Sequence, residues 1–509
     1  MTNREVWIPA FSKTRSVSSQ LVKGQAGRHD RHVAEAFDGA LRFDPPAEGV
    51  WLPGLWGLPL APRSFDSIYF DTPNWALARG GMTLHRRVEN GSNAWRLNIC
   101  AQPVHREFEI TGGGLPPTEV RDLLRAHRTS GELVPIAELR TTRTGIRVSD
   151  GKRALADVLL DEVAAIDRLR EETSFRELEV EVVDGDDTDL ALIAKRLRQS
   201  GAVPASLRPK LFRVVRFDPE DRPPQIAPAI DHVRALVRRQ VGALYRHDVG
   251  LRLGGDIEEL HDFRVATRRL RAILRAARRL LGAKRVTAVR AELEWLAAKL
   301  GPARDLDVML EQLHHELRSL PDRDVPAAQR LVGAFEAQRA LARAVVDTVL
   351  NDGRYFELVS TLDQLGHENG RAEGEAELGA LARGEFRRLA KGFETLSEDS
   401  SDDELHAKRI LAKRARYAAE LASPVVGSRA ERFVKEVKAL QDVVGTHQDA
   451  AVLEGRLRSA AGAAPDFAFV AGLLVERQRQ RRRDARAELP TTWARVRRAG
   501  ERAWNRPST

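Results

Sequence analysis

LHDFRVATRRLR, residues Leu260–Arg271, and LHAKRILAKRAR, residues Leu405–Arg416, align without a gap, and this match decides the reading of the C-terminal half. Both begin Leu-His, carry an Arg three residues after the His, and end in a basic pair followed by a final Arg. On a helix advancing about 100° per residue, His261, Arg264, Arg268, Arg271 and Arg275 fall within an arc of about 80°. Phe263, Leu270, Ile273 and Leu274 fall opposite, so one face packs while the other gathers positive charge. The second copy places His406, Arg409, Lys413 and Arg416 on the same arc, with Glu420 where the first has Arg275.

About thirty residues beyond each stripe lies a second matched piece. LGPARDLD from Leu300 and VGTHQDAA from Val444 align Gly301 with Gly445 and Asp305 with Asp449. Two ordered matches at nearly one offset identify a duplication, expected as two helical bundles side by side over about 229–350 and 376–502, each led by one His/Arg helix. Four or five cations on one helical face repel unless anions neutralise them, and i,i+4 Glu partners are mostly absent. Arg supplies bidentate donors to phosphate, Lys a point charge and His a further donor. A solvated basic face is the plain alternative for one Arg-rich helix, but solvation gives no reason for His and Arg to recur at one spacing. Asp305 and Asp449 read either as partners orienting the arginines or as helix caps after a Gly turn. The His261-Asp262 pair suggests a metal phosphohydrolase, yet Ala407 replaces the Asp in the second copy; His247, His314 and His367 are assigned no role.

The whole chain has 509 residues, enough for two to four domains, with 82 Lys+Arg against 73 Asp+Glu and formal net charge +9. That balance favours polyanionic partners. A single cysteine, Cys100, excludes an internal disulfide and a thiolate metal site and fits a reducing compartment. No apolar run approaches the roughly 20 residues that span a bilayer, and no apolar block precedes a cleavage site near the N-terminus. The expectation is a cytoplasmic protein without a membrane partner. Residues 1–34 read as a loosely ordered tail and 35–216 as a strand-rich α+β domain. The Pro-rich stretch 217–228 reads as a linker, and 229–502 is helical throughout.

In the helical half, the two Leu-His stripes, GPARDLDV from Gly301 and LQDVVGTHQDA from Leu440 together resemble the CHAD family of conserved-histidine α-helical domains. The resemblance covers about 229–502. It implies a pair of four-helix bundles about a pseudo-twofold, with a basic groove that binds inorganic polyphosphate with no cofactor, on His261, Arg264, Arg268, Arg271, Arg275, His406, Arg409, Lys413 and Arg416. It also implies a binding module rather than an enzyme, and polyphosphate granules become a possible location. In the strand-rich half, IYFDTPNWALARGGMTLHRRV from Ile68, WRLNIC from Trp95, HREFEI from His105 and ELEVEV from Glu177 resemble the CYTH family. That implies an eight-stranded antiparallel β-barrel, a tunnel for triphosphate compounds.

The CYTH resemblance assigns triphosphate contacts to Arg87, Arg106, Glu107, Arg143 and Lys210. Glu177, Glu179 and Glu181 alternate so that all three face one way, and they are the candidate metal ligands. Their plain alternative is the wet side of a half-buried strand. The family's Glu-x-Glu-x-Lys strand has no counterpart here; its best placement puts Asp38, Ala40 and Arg42 in those positions, and Asn98 replaces a family Lys. Losing a carboxylate weakens a site for a hard divalent cation. The first domain is therefore expected to be an inactive relative of Mg²⁺- or Mn²⁺-dependent triphosphatases, unless Glu5 or Glu35 supplies the missing ligand. Nucleic acid is disfavoured as a partner, because aromatic residues are 6% of the chain and none interleaves the first basic face.

Overall fold

The computed structural model describes residues 6–9, 41–46, 49–52, 55–101, 104–166, 174–205, 209–215, 217, 227–254, 257–368, 377–397, 400–463 and 465–504. Asp38, Ala40, Glu5 and Glu35 lie outside the described residues, as does most of the Pro-rich linker. The chain divides into two units, Met1–Pro219 and Glu220–Thr509.

The first unit is built from β1 (Val6–Pro9), β2 (Leu41–Asp44), β3 (Gly49–Leu52), β4 (Trp56–Asp71), β5 (Met82–Glu89), β6 (Ser92–Ala101), β7 (Val104–Thr111), β8 (Val134–Ser149), β9 (Ala154–Ala165), β10 (Ser174–Val182) and β11 (Val203–Pro204). The helices α1 (Ala76–Arg79), α2 (Thr118–Leu123), α3 (Asp187–Gln199) and α4 (Leu211–Val214) are interspersed among them. Within the stretch expected to be a loose tail, β1 pairs antiparallel with β3, Val6 opposite Leu52. Four consecutive residues of extended propensity, VWIP, find a strand edge to bond.

Nine strands form one antiparallel sheet in the order β11-β2-β10-β9-β8-β4-β5-β6-β7. The expected barrel is not closed, since β7 and β11 are the two ends of the order among the described residues. Register shifts at Leu60/Arg63 and Tyr69/Phe70 in β4 and at Val148/Ser149 in β8 give the long strands room to bend. Alternation sorts the two faces. Phe43, Val148, Ala156, Val158, Leu160, Leu178 and Val180 pack against Leu190, Ile193, Ala194 and Leu197 of α3, whose first turn is closed by a capping box on Asp186. Their neighbours one residue away carry the charges of the other face.

The second unit is helical: α5 (Ala229–Arg252), α6 (Ile257–Ala276), α7 (Ala283–Leu317), α8 (Val325–Leu350), α9 (Gly353–His367), α10 (Leu378–Glu394), α11 (Asp402–Val426), α12 (Ser428–Ala463) and α13 (Ala468–Trp504). The duplicated stripes are α6 and α11, and the matched pieces that follow lie on α7 and α12. The copies differ in their last leg. Where the second has the single helix α13, the first breaks at Asn351–Asp352, with Asp352 accepting from Arg354 N at 2.9 Å, so five helices stand in place of the four expected. The extra helix α9 is tied to α5, where Arg238 donates to Gly366 O at 2.7 Å, carrying the first copy past its expected end near residue 350. Phe263, Leu270, Ile273 and Leu274 are all buried, as the stripe geometry requires. Each contributes about 1.5–3 kcal/mol of apolar burial. No described helix is long and apolar enough to cross a membrane.

Candidate polyanion-binding site

Helix α11 begins where a capping box makes it begin: Glu404 N donates to Ser401 Oγ at 3.2 Å and Ser401 N donates to Glu404 Oε2 at 2.7 Å. That start sets the phase of His406, Arg409, Lys413 and Arg416. The two stripes meet between the copies, because Arg268 Nε of α6 donates to Tyr417 Oη of α11 at 2.8 Å. Arg264 crosses to α7, donating to Leu300 O at 3.0 Å and Gly301 O at 2.7 Å, with Asp305 3.8 Å away. A Cβ built on Gly301 would lie 3.5 Å from Arg264 Nη1, and one on Gly445 would lie 3.8 Å from Arg409 Nη2, so each arginine rests over the matched glycine of the next helix.

The helix-cap reading of Asp305 and Asp449 is corrected. Gly301 and Pro302 lie inside α7, and Gly445 lies inside α12, so no Gly turn precedes either aspartate. An arginine of the preceding stripe lies over each glycine at ordinary contact distance. Asp305 orients Arg264, while Asp449 responds to both copies: burial raises its proton affinity, against Arg409, Lys413 and Arg304, with Asp305 adding to the rise.

The stripes are not uniform. Arg271 pairs with Glu294 at 3.0 Å, Arg275 with Glu385 at 3.4 Å, and Arg416 with Glu420 at 3.2 Å and with Gln441. The acids missing at i,i+4 in the first stripe arrive across helices instead. Arg409 and Lys413 make no hydrogen bond or ion pair among the described residues, and Arg409 Nε is buried without a partner. His261 is half-buried and disfavours protonation, through burial first and then the Arg304 charge; His406 is exposed beside Gln448. Two of the acids just before the second stripe are engaged elsewhere: Asp402 pairs with Arg482 and Arg486, and Glu404 caps the helix. Residues 398–399 of that acidic run lie outside the described residues. Sequence reasoning passed over Arg304, whose Nη1 is buried without a partner; its signal was its place in the matched GPARDLDV piece.

In the sheet unit, side chains from seven strands and from Lys210 converge on a cavity of about 130 Å³. Arg87, Glu107, Arg143, Lys210, Glu179 and Glu181 line it, joined by Arg42 and Arg96. Arg106 does not. It pairs with Ile99 on β6 and so shares the opposite face, because neighbours along a strand alternate. Glu177 is fully buried and Glu179 nearly so, which overturns the wet-face alternative for these two, while Glu181 at the end of the row is exposed.

A carboxylate that the sequence reading missed, Asp161, holds the centre. Arg143 donates to it from Nε at 2.7 Å and from Nη2 at 2.8 Å, and Lys210 also reaches it. Its signal was the even spacing of Asp157 and Asp161 on one strand face. Glu179 accepts from Arg42 at 3.2 Å on one oxygen and from Arg143 at 2.6 Å on the other. Burial acts against its charge, but Lys210, Arg42 and Arg143 together hold it down to about 2. His85, buried and close to Arg96 and Arg87, is pushed down to about 3 and is neutral.

These donors do not fit a pair of Mg²⁺ or Mn²⁺ ions. Both oxygens of Asp161 and of Glu179 are taken by Arg or Lys, and Arg213 takes Glu177 Oε2 at 3.1 Å. Among the described residues, the oxygens left over are Glu177 Oε1 and those of Glu107 and Glu181, whose Oε1 atoms already meet Arg96 and Arg143 at 3.3 Å, so a metal ion would have to displace arginine or lysine to gain a second buried carboxylate. Among the described residues, no group of three or more His, Cys, Asp or Glu is placed to hold a metal ion.

Comparison with known proteins agrees with both halves. The CYTH domain family matches residues 47–203 and the CHAD domain family residues 235–458. An uncharacterized protein of Mycobacterium tuberculosis is 31% identical over 452 residues, covering 82% of this chain and 86% of its own. Among solved structures, PptA from Streptomyces chartreusis is 23% identical over 53% of this chain and 100% of its own, with TM-score 0.43. The CHAD domain from the plant Ricinus communis is 23% identical over 54% and 93%, with TM-score 0.45. This chain belongs to the two-domain family in which a CYTH domain is followed by a CHAD domain.

Proposed function

We propose that the protein binds inorganic polyphosphate in the groove where the two copies of the helical unit meet. The observation that carries this reading is the gathering of Arg264, Arg268 and Arg304 from one copy with Arg409 and Lys413 from the other, against Asp305 and Asp449 among the described residues. Cations left without counter-charges are stable together only when a polyanion supplies them, and a chain of phosphates does so along its whole length. Binding needs no cofactor. Nucleic acid is the poorer fit, since the one aromatic side chain at the junction, Tyr417, is buried and offers no stacking platform. A cytoplasmic protein, free or at polyphosphate granules, follows from this ligand.

The sheet unit is proposed to hold small phosphate anions without hydrolysing them, because its carboxylates neutralise arginine and lysine rather than metal. The other reading, a Mg²⁺- or Mn²⁺-dependent triphosphatase, draws support from the cationic cavity alone. Competition tests the main proposal: labelled long-chain polyphosphate is displaced by unlabelled polyphosphate and by single- and double-stranded nucleic acid at equal phosphate concentration. Equal displacement by all three would sink it.

A further inference from the structure

One lysine stands among the arginines of the groove. On its own helix Lys413 has Arg409 one turn before it and Arg416 three residues after it. From α6 it faces Arg268, whose guanidinium is fixed at 2.8 Å by the Tyr417 hydroxyl; from α12 it faces Asp449. It is half-buried and makes no hydrogen bond or ion pair among the described residues. With Arg416 already paired to Glu420, Arg268 and Arg409 crowd Lys413 against Asp449 alone among the described acids that face it, and a partly desolvated place favours whichever group can give up its proton. Arginine cannot; lysine can.

We propose that polyanion capture in this groove is coupled to proton uptake on Lys413, a regulation that rests on the polyphosphate-binding reading. The unliganded groove relieves its crowding by leaving Lys413 neutral above about pH 7, burial being the largest cause and the Arg409 and Arg268 charges the next. A phosphate seated against Arg268, Arg409 and Lys413 reverses the balance and restores the ammonium. Affinity is then constant on the acid side of that value and falls above it, by up to about tenfold per pH unit until the bound form itself titrates. The protein grips the polymer most tightly as its surroundings acidify and slackens as they turn alkaline.

Titration calorimetry on the full chain with long-chain polyphosphate at pH 8, in buffers of different ionisation enthalpy, counts the protons. The internal phosphates of a long chain stay ionised throughout this range, its end groups are few for each bound segment, and histidine ionises near about 6.5, so these groups contribute little at pH 8. The wild type takes up close to one proton per site, and Lys413→Arg takes up almost none, its affinity level from pH 7 to 9. Uptake that persists in Lys413→Arg would assign the proton to Asp449 and overturn the proposal. Binding without uptake in the wild type overturns it while leaving the groove assignment standing. Absence of any binding overturns both.

Discussion

Arg409→Ala and Arg271→Ala remove the same charge from equivalent faces, and the structure separates them. Arg409 makes no hydrogen bond or ion pair among the described residues, so its guanidinium is free for a phosphate. A hydrogen bond to a charged group contributes about 1.5–3 kcal/mol, so the loss on substitution is about 10- to 150-fold in affinity. Arg271 must first leave Glu294, a pair at 3.0 Å in which the glutamate is well exposed. Its net gain on meeting phosphate is under about 1 kcal/mol, less than about sixfold. Fluorescence anisotropy with labelled long-chain polyphosphate at low salt measures both. The slope of log affinity against log salt should also drop by about one for Arg409→Ala and stay unchanged for Arg271→Ala. Equal losses in the two variants, or none in either, would refute the reasoning, since charge alone and not freedom from a partner would then govern the stripe.

By the same logic Arg409→Ala with Lys413→Ala weakens long-chain binding at least as much as Arg264→Ala with Arg268→Ala, because Glu420 is spent on Arg416 and Asp402 on Arg482 and Arg486. Short chains, unable to span both copies, lose less in either double variant. Phosphate-release assays with tripolyphosphate, nucleoside triphosphates and thiamine triphosphate, with Mg²⁺ or Mn²⁺, should show no turnover above background; turnover that Glu179→Gln abolishes would restore the triphosphatase reading. Glu179→Gln also leaves Arg42 and Arg143 short of a partner and destabilises the sheet unit by about 3–5 kcal/mol in denaturant melts. With the folded-state Glu179 held at about 2, below its usual 4.5, its stabilisation is present above the usual value and is lost as pH falls through about 2; the Gln variant lacks that acid-dependent loss. In the helical unit, Gly500→Ala drives a methyl to 2.0 Å from the Phe386 ring and lowers stability by about 1–3 kcal/mol. Gly301→Ala meets only Arg264 Nη1 at 3.5 Å and, being helical, gains up to about 1 kcal/mol.

Periodicity and repetition are local properties of a chain, and they carried much of the reading here. The buried side of α6, the pairing of the two stripes, the two-unit division and the one-sided alternation of Glu177, Glu179 and Glu181 all follow from spacings of two and of three to four residues, which the backbone geometry alone enforces. Tertiary structure decided who meets whom. Arg271, Arg275 and Arg416 look alike in sequence to Arg409 and Lys413, but acids and an amide from other parts of the fold reach the first three. Gly301 and Gly445 read as turns until a long helix runs through each and an arginine lies on it. Arg106 fell on the wrong face because a motif does not fix register, while Asp161 became central because β8, β9 and β10 lie side by side and place Arg143 and Glu177 opposite it. Charge balance at a site is a sum over neighbours far apart in the chain, so the sequence by itself determined which residues could carry the anion chemistry, and only the fold decided which of them remain free to do it.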